Sequence, residues 1–328
     1  MYRRRTVLVT VPPSSVNISG SCTSLMTAAK LGDVERVTRL LNGDDEYIDA
    51  VDAEGKTALQ YAIMRNRTDI AILLLQRGCS INMPDAFGER PIDVAIQCGH
   101  VDVVRALLLR GCDVNESIHG GMSLVAMAVL NGHLDISKLL IRDGADPFVL
   151  SIHGESLLHF AVMGANSRLV QYLVDIGCNL DVTDYSGQMP VHLSIEDGRI
   201  SMVRQLLVNG SSLCENHVAA ASLICLACEA NRIDCIWLLL DAGYDLTRDR
   251  TFVRRQELYE VRWRDRFDDL WEYVSQCLET PTSLTALCCK TIRQSRLART
   301  IIRHPDVVVL PPRLRQMVLL GIDEKLFT

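Results

Sequence analysis

Apolar and polar positions along this chain fall into short helical bursts. In residues 89–115, ERPIDVAIQCGHVDVVRALLLRGCDVN, Ile92, Ala95 and Ile96 share one face of a first helix. Val103, Val104, Leu107 and Leu108 share one face of a second. Gly99 sits between the two, where a helix ends in a left-handed residue that Gly and Asn tolerate best. Gly111 ends the second helix, and the polar loop after it is predicted to form a hairpin pointing away from the helices.

This unit recurs with a period of 33. Gly78, Gly111, Gly144, Gly177, Gly210 and Gly243 form one ladder, and Gly55, Gly88, Gly121, Gly154 and Gly187 a second. Asn66, Gly99, Gly132, Ala165, Gly198 and Asn231 hold the inter-helix position. Leu74, Leu107, Leu140, Leu173, Leu206 and Leu239 hold a fourth register. Small residues recur at Ala62, Ala95, Ala128, Ala161, Ser194 and Ala227, where neighbouring helices approach closely. A fixed period of this length means stacked supersecondary units. Seven units are expected over about residues 20–246. The first is out of register by one residue, and the seventh has Ala220 where the ladder predicts Gly, so its hairpin is expected to be irregular.

These residues resemble the ankyrin repeat. Its Thr-Pro-Leu-His-x-Ala phrase is matched loosely by TALQYA (57–62), RPIDVA (90–95), SLLHFA (156–161) and MPVHLS (189–194). Its second phrase is matched by LLQRGCSIN (74–82) and LLLRGCDVN. The resemblance implies that His159 and His192 tie the loop by hydrogen bonds. It also implies a groove lined by hairpin tips, among them Glu54, Phe87, His119, His153 and Tyr185. The outward edges of the first helices complete it, with Met64, Leu130 and Met163 as its apolar members. Met64, Phe87, Leu130, Met163 and Tyr185 are therefore the candidate substrate-binding residues. Large apolar side chains left exposed in this way point to a protein partner.

After Gly243 the pattern stops. Residues 247–280 carry seven arginines interleaved with acids, and Trp263, Phe267, Leu270, Trp271, Val274 and Leu278 at helical spacing. This reads as a connecting helix with an ion-paired face and an aromatic face. Residues 281–328 then give three short helical runs. Leu284, Cys288 and Ile292 fall four residues apart, with Leu287 and Thr291 beside them. Three helices of about ten residues bury too little apolar surface to be stable alone. They are either a helical cap on the repeats or a docking box completed by a partner.

Ser283, Leu284, Cys288 and Ile292 fit the elongin-binding pattern of the SOCS box. With the repeats before it, the chain resembles the ankyrin-repeat and SOCS-box family over residues 20–320. The resemblance implies an all-α fold: a mobile tail (1–19), an ankyrin-repeat solenoid with short hairpin loops (20–246), a connecting helix (247–280) and a three-helix SOCS box (281–328). It implies the substrate-receptor subunit of a cullin–RING ubiquitin ligase. Leu284, Leu287, Cys288 and Ile292 would bind elongin C, which comes with elongin B, and Leu310, Pro311 and Leu314 would bind the cullin with its RING protein. The family favours cullin-5, whose Leu-Pro-aliphatic-Pro pattern is met by Val308-Val309-Leu310-Pro311 without the first Pro. The looser cullin-2 pattern is satisfied by Leu310-Pro311, Leu314 and Val318. An ankyrin scaffold with no ubiquitin role is the alternative.

Composition narrows this further. The net charge of −6 argues against nucleic acid or an anionic membrane as a general partner. From residue 281 on, eight Lys/Arg face three Asp/Glu, a net of +5; the remainder holds 26 against 37, a net of −11. No apolar run reaches the roughly 18 residues of a membrane span, and the apolar stretch Thr6 to Val11 is short for a signal peptide. A cytoplasmic location, with the nucleus as a further site, is expected, and the twelve cysteines then read as reduced thiols. Cys225 and Cys228 have no second pair or His at zinc spacing, so no metal or cofactor is expected. No catalytic set has supporting context, and the chain is not expected to be an enzyme.

Overall fold

Each helix of this chain is short because its own stop signals bound it. The computed structural model describes residues 23–43, 47–117, 121–213 and 222–242, and beyond these only 244, 246, 249, 251–254 and 274. The chain divides into two compact units, Met1–Ile152 and His153–Thr328.

The first unit holds four helix pairs: α1 (Ser24–Leu31) with α2 (Val34–Leu41), α3 (Ala58–Met64) with α4 (Thr68–Gln76), α5 (Pro91–Cys98) with α6 (Val101–Leu109), and α7 (Leu124–Leu130) with α8 (Leu134–Arg142). The second holds three: α9 (Leu157–Met163) with α10 (Ser167–Asp175), α11 (Pro190–Glu196) with α12 (Ile200–Val208), and α13 (Leu223–Glu229) with α14 (Ile233–Asp241). In the first unit α1, α3, α5 and α7 stack in one layer and α2, α4, α6 and α8 in another. In the second, α9, α11 and α13 stack, and α12 lies beside α14. Among the described residues there is no strand, and Ser117 and Ser123 form an isolated antiparallel bridge. No helix there is long and apolar enough to cross a membrane.

The first helices bury more than the one face their pattern predicts. In α5 the whole run from Pro91 to Ile96 is buried. The same holds from Leu124 to Val129 in α7 and from Leu157 to Val162 in α9. A helix stacked on both sides and backed by a second helix has little face left for water. The second helices behave as amphipathic elements: Val103, Val104 and Leu107 of α6 are buried, while Leu108 is half-buried and Leu109 exposed. The small register residues Ala62, Ala95, Ala128, Ala161, Ser194 and Ala227 have no exposed surface.

The turn inside each pair carries the geometry. Asn66, Gly99, Gly132, Ala165, Gly198 and Asn231 all adopt positive φ, as does Gly32 in the first pair, one register step early. At Gly99 a second constraint acts: an added Cβ would lie 2.6 Å from the His133 ring. His133 Nε2 approaches the Gln97 carbonyl at 3.2 Å, at the C-terminal end of α5. His100 reaches the Ile63 carbonyl at 3.0 Å. In the second unit, Arg232 sits over Gly198 and donates to the Glu196 carbonyl at 3.2 Å. Arg199 donates to the carbonyls of Val162 and Met163. Each of these residues N-caps a second helix; His133, Arg199 and Arg232 satisfy an orphan carbonyl of the preceding repeat, while the Ile63 carbonyl met by His100 also accepts from the Asn66 N–H at 3.0 Å.

Beyond α14, Asp249 accepts from the Phe252 backbone at 2.8 Å and from the Tyr244 hydroxyl at 3.0 Å, and Phe252 and Val274 are buried. The expected connecting helix otherwise lies outside the described residues, as do the SOCS box and the irregular hairpin around Ala220.

Ala165 is the inter-helix residue that is neither Gly nor Asn, held at φ 54°. A left-handed L-residue costs on the order of 1 kcal/mol. Ala165→Gly is expected to stabilise the second unit by about 1 kcal/mol, read as a rise in the urea midpoint. A fall in the midpoint contradicts this account of the turn.

Candidate protein-binding surface

The surface begins with what fixes the hairpins. Asp52, Asp85 and Asp184 share one register, and each folds its turn with a single carboxylate oxygen. Asp85 Oδ1 accepts from the N–H groups of Phe87 and Glu89, both at 2.9 Å. Asp52 does the same for Glu54 and Lys56, and Asp184 for Ser186 and Gln188. Hairpins are joined in turn by backbone bonds, Ala86 N–H to the Glu54 carbonyl at 2.8 Å and Tyr185 N–H to the His153 carbonyl at 2.9 Å. A second tie comes from the start of the first helices. Gln60 Nε2 donates to the Glu89 carbonyl at 2.7 Å, and His159 Nε2 lies 3.0 Å from the Gln188 carbonyl. The Ser156 N–H donates to His159 Nδ1 at 3.0 Å, so Nε2 carries the proton. His192 Nδ1 accepts from the Met189 N–H at 3.1 Å.

In the first unit this frame presents Met64 and Phe87, both exposed, while Leu130 is half-buried. Met64 ends α3, Leu130 ends α7, and Phe87 tips the hairpin before α5. The Phe87 ring rests on charge. Lys56 Nζ lies 5.0 Å from its centroid, 2.6 Å from Glu54 and 3.7 Å from Asp85. Burial works against the Lys56 charge, but Glu54 and Asp85 outweigh it and hold its pKa above the ordinary value. The buried Asp85 Oδ2 has no hydrogen-bond partner, so its neighbour Lys56 is the compensation it has. One repeat on, Arg90 is buried in a fork with Asp93, Nε to Oδ2 at 3.0 Å, and also pairs with Glu116.

In the second unit Tyr185 is 80% exposed and Met163, at the end of α9, is half-buried. The Tyr185 ring lies against Gly154, where an added Cβ would come within 2.7 Å of it. Of the expected tips, Glu54 and His153 are exposed, and His119 lies outside the described residues. Leu284, Leu287, Cys288, Ile292, Leu310, Pro311 and Leu314 also lie outside them.

Two features were missed at the sequence level. The Lys56–Asp85 cluster joins adjacent repeats, and the Asp register that builds it was visible as a further period of 33. The other is an exposed apolar loop at residues 148–152, signalled by Phe148 where the other repeats carry Asp49, Asn82, Asn115 and Asp181.

What this surface offers is shape and side chains for another protein. Among the described residues no group of His, Cys, Asp and Glu could hold a metal ion. Burial pushes the Cys79 thiol up to about 12 and Cys112 to about 11. Cys225 and Cys228 are wholly buried, and burial raises the Cys228 pKa as well.

The model for ankyrin repeats (3 copies) matches residues 23–118, 125–217 and 158–250, and that for ankyrin repeats (many copies) matches 99–141. The chain belongs to the ankyrin-repeat family, and its described helices form a protein-interaction scaffold of that class. Among solved structures, the ankyrin repeat domain of Bcl-3, a member of the IkappaB protein family, is 25% identical with a TM-score of 0.56, covering 66% of this chain and 98% of that one. The human ASB11 ankyrin repeat domain is 19% identical with a TM-score of 0.59, over 66% and 97%, a likeness of fold. The ankyrin repeat protein EF0377 is 26% identical with a TM-score of 0.50, over 57% and 97%. Curated proteins give no match.

His159 supplies a pH test. Its burial lowers the imidazole pKa below the ordinary 6.5, against weaker opposing effects from the Gln188 carbonyl and nearby acids. The unfolded imidazole therefore takes up its proton at higher pH than the folded one. The stability contribution is complete above pH 6.5 and is lost as pH falls toward the folded value. His159→Gln, the residue Gln60 already supplies at this register, is expected to flatten that loss in urea unfolding measured above and below pH 6.5. An unchanged slope excludes His159 as its source.

Proposed function

We propose that this chain is the substrate receptor of an elongin B/C–cullin–RING ubiquitin ligase. The observation that carries the reading is the pattern Ser283-Leu284, Cys288, Ile292 placed behind an ankyrin array. The array, residues 20–246, holds a protein substrate through Met64, Phe87, Leu130, Met163 and Tyr185. Residues 247–280 connect it to a box at 281–328. There Leu284 enters a hydrophobic pocket of elongin C, with Leu287, Cys288 and Ile292 alongside. The charge split supports a separate C-terminal module, +5 from residue 281 on against −11 before it. Leu310, Pro311 and Leu314 meet the cullin. Cullin-5 is the partner the family favours, and the absent first Pro leaves cullin-2 compatible with the residues.

In this role the chain performs no chemistry. It holds a substrate lysine near a loaded ubiquitin carrier, and the gain is effective concentration. Two polar-framed hairpin tips and three helix-end side chains suit that task, because the ties between hairpins fix position while the tips set specificity.

Leu284→Ala is expected to weaken elongin B/C binding by roughly 2–4 kcal/mol, the loss of a central anchor, measured by titration calorimetry with the full chain. Wild-type affinity in the variant would overturn the elongin reading and leave the ankyrin scaffold without a ubiquitin role. For the groove, Met64→Glu with Leu130→Glu and Met163→Glu is expected to release captured protein partners while leaving elongin B/C bound. Retention of every partner would place the substrate site elsewhere.

A further inference from the structure

Lysine is nearly missing from a chain that has no shortage of positive charge. Of its 34 basic residues five are Lys: Lys30, Lys56, Lys138, Lys290 and Lys325. The other 29 are Arg. In an ordinary soluble domain Lys is among the commonest residues. Here residues 139–289 hold none, against twelve Arg. Some arginines need their fork. Arg90 meets Asp93 through two nitrogens, and Arg77 and Arg199 donate to carbonyls of the preceding repeat. Elsewhere neither helix nor charge forces the choice. Arg36, Arg39, Arg105, Arg142 and Arg168 are exposed on second helices, where Lys carries the same charge at nearly the same helix propensity.

The three lysines of the array are all engaged. Lys56 is buried, with Nζ 2.6 Å from Glu54 and 3.7 Å from Asp85. Lys30 is half-buried and lays Nζ over the Tyr61 ring, 3.6 Å from its centroid. Lys138, on α8, is half-buried and has a partner of its own. All three belong to the first unit, and the helices of the second, α9 to α14, carry no Lys. Two carboxylates beside Lys56 favour its charged form.

The two cations differ in chemistry. A Lys amine that has shed its proton attacks the thioester carbonyl of a loaded ubiquitin carrier. Its nitrogen forms an amide bond, the carbon–sulfur bond breaks, and the carrier's cysteine leaves as a thiolate that takes up a proton. A guanidinium stays charged and offers no such nitrogen. A receptor is held beside the carrier at the same effective concentration as its substrate, so an amine on its surface competes with the substrate's. We infer that the repeat array is a poor acceptor of ubiquitin: Arg supplies its surface charge, its few lysines are engaged, and transfer is directed to the bound protein. This rests on the receptor role proposed above and adds the means by which the receptor escapes the modification it promotes. A scaffold without that role has no use for the bias.

The test uses the full chain assembled with elongin B/C and the cullin it captures, with its RING protein, and supplied with loaded carrier. Lys290→Arg with Lys325→Arg confines lysine modification to the array. Into this parent Arg105→Lys, Arg142→Lys and Arg168→Lys are added, which keeps every charge. Discharge of the carrier to free lysine in solution checks that both assemblies are active. The chain with the added lysines is expected to be modified on lysine about tenfold faster or more, the gain from an amine held near the thioester, and mass spectrometry is expected to find ubiquitin on the added residues. Equal rates in the two chains, or rapid modification of Lys30, Lys56 or Lys138 in the parent, would overturn the inference and leave the receptor role standing. Failure to assemble, or to discharge the carrier, would overturn the receptor role and the inference with it. Acylation of the chain alone by an N-hydroxysuccinimide ester reads the same amines without a ligase. Lys56 is expected to react more slowly in the folded chain than in urea, and equal rates would also overturn the inference.

Discussion

Each helix pair turns on one left-handed residue, and the remaining geometry follows from it. A turn of this kind folds the second helix back on the first and leaves carbonyls open at the first helix's C-terminus. Those carbonyls are met from the next repeat, by His133, Arg199 and Arg232. A pair of seven- to nine-residue helices is unstable by itself, so each repeat exists because its neighbour completes it. The hairpins repeat the logic on the other side, where a carboxylate at 52, 85 or 184 closes the turn and Gln60 or His159 fastens the next one.

This division of labour explains where function can sit. Side chains that carry the ties are buried: Gln60, Asp85, Asp93, His159 and His192 have almost no exposed surface. Tip residues between them carry no structural duty of that weight and are free to differ. Phe87 and Tyr185 occupy such positions and are exposed, each supported from below, one by Lys56 and the other by the bare backbone of Gly154.

Much of the fold was legible because a 33-residue period samples each position several times. The turn residues, the small Ala register and the pairing of helices all follow from Gly, Ala and Leu ladders. The imidazole ties at His159 and His192 were expected from the family phrase. Gln60 and Asp93 do related work with different chemistry, and a search for His passes over them. The burial of first helices on nearly all sides was underestimated, since a hydrophobic stripe reports one neighbour and these helices have three. Exposure of Met64 against the half-burial of Leu130 and Met163 depends on adjacent side chains that no spacing encodes. The Lys56–Asp85 cluster escaped because its partners sit in different repeats and neither belongs to a familiar motif.

The account as a whole joins a protein-binding array to a box that recruits a ligase. Its most direct test is size-exclusion chromatography with light scattering on the full chain mixed with purified elongin B/C. The account predicts a single species whose mass equals one copy of each protein. Separate elution of the chain and of elongin B/C at concentrations well above those of a specific complex would contradict it.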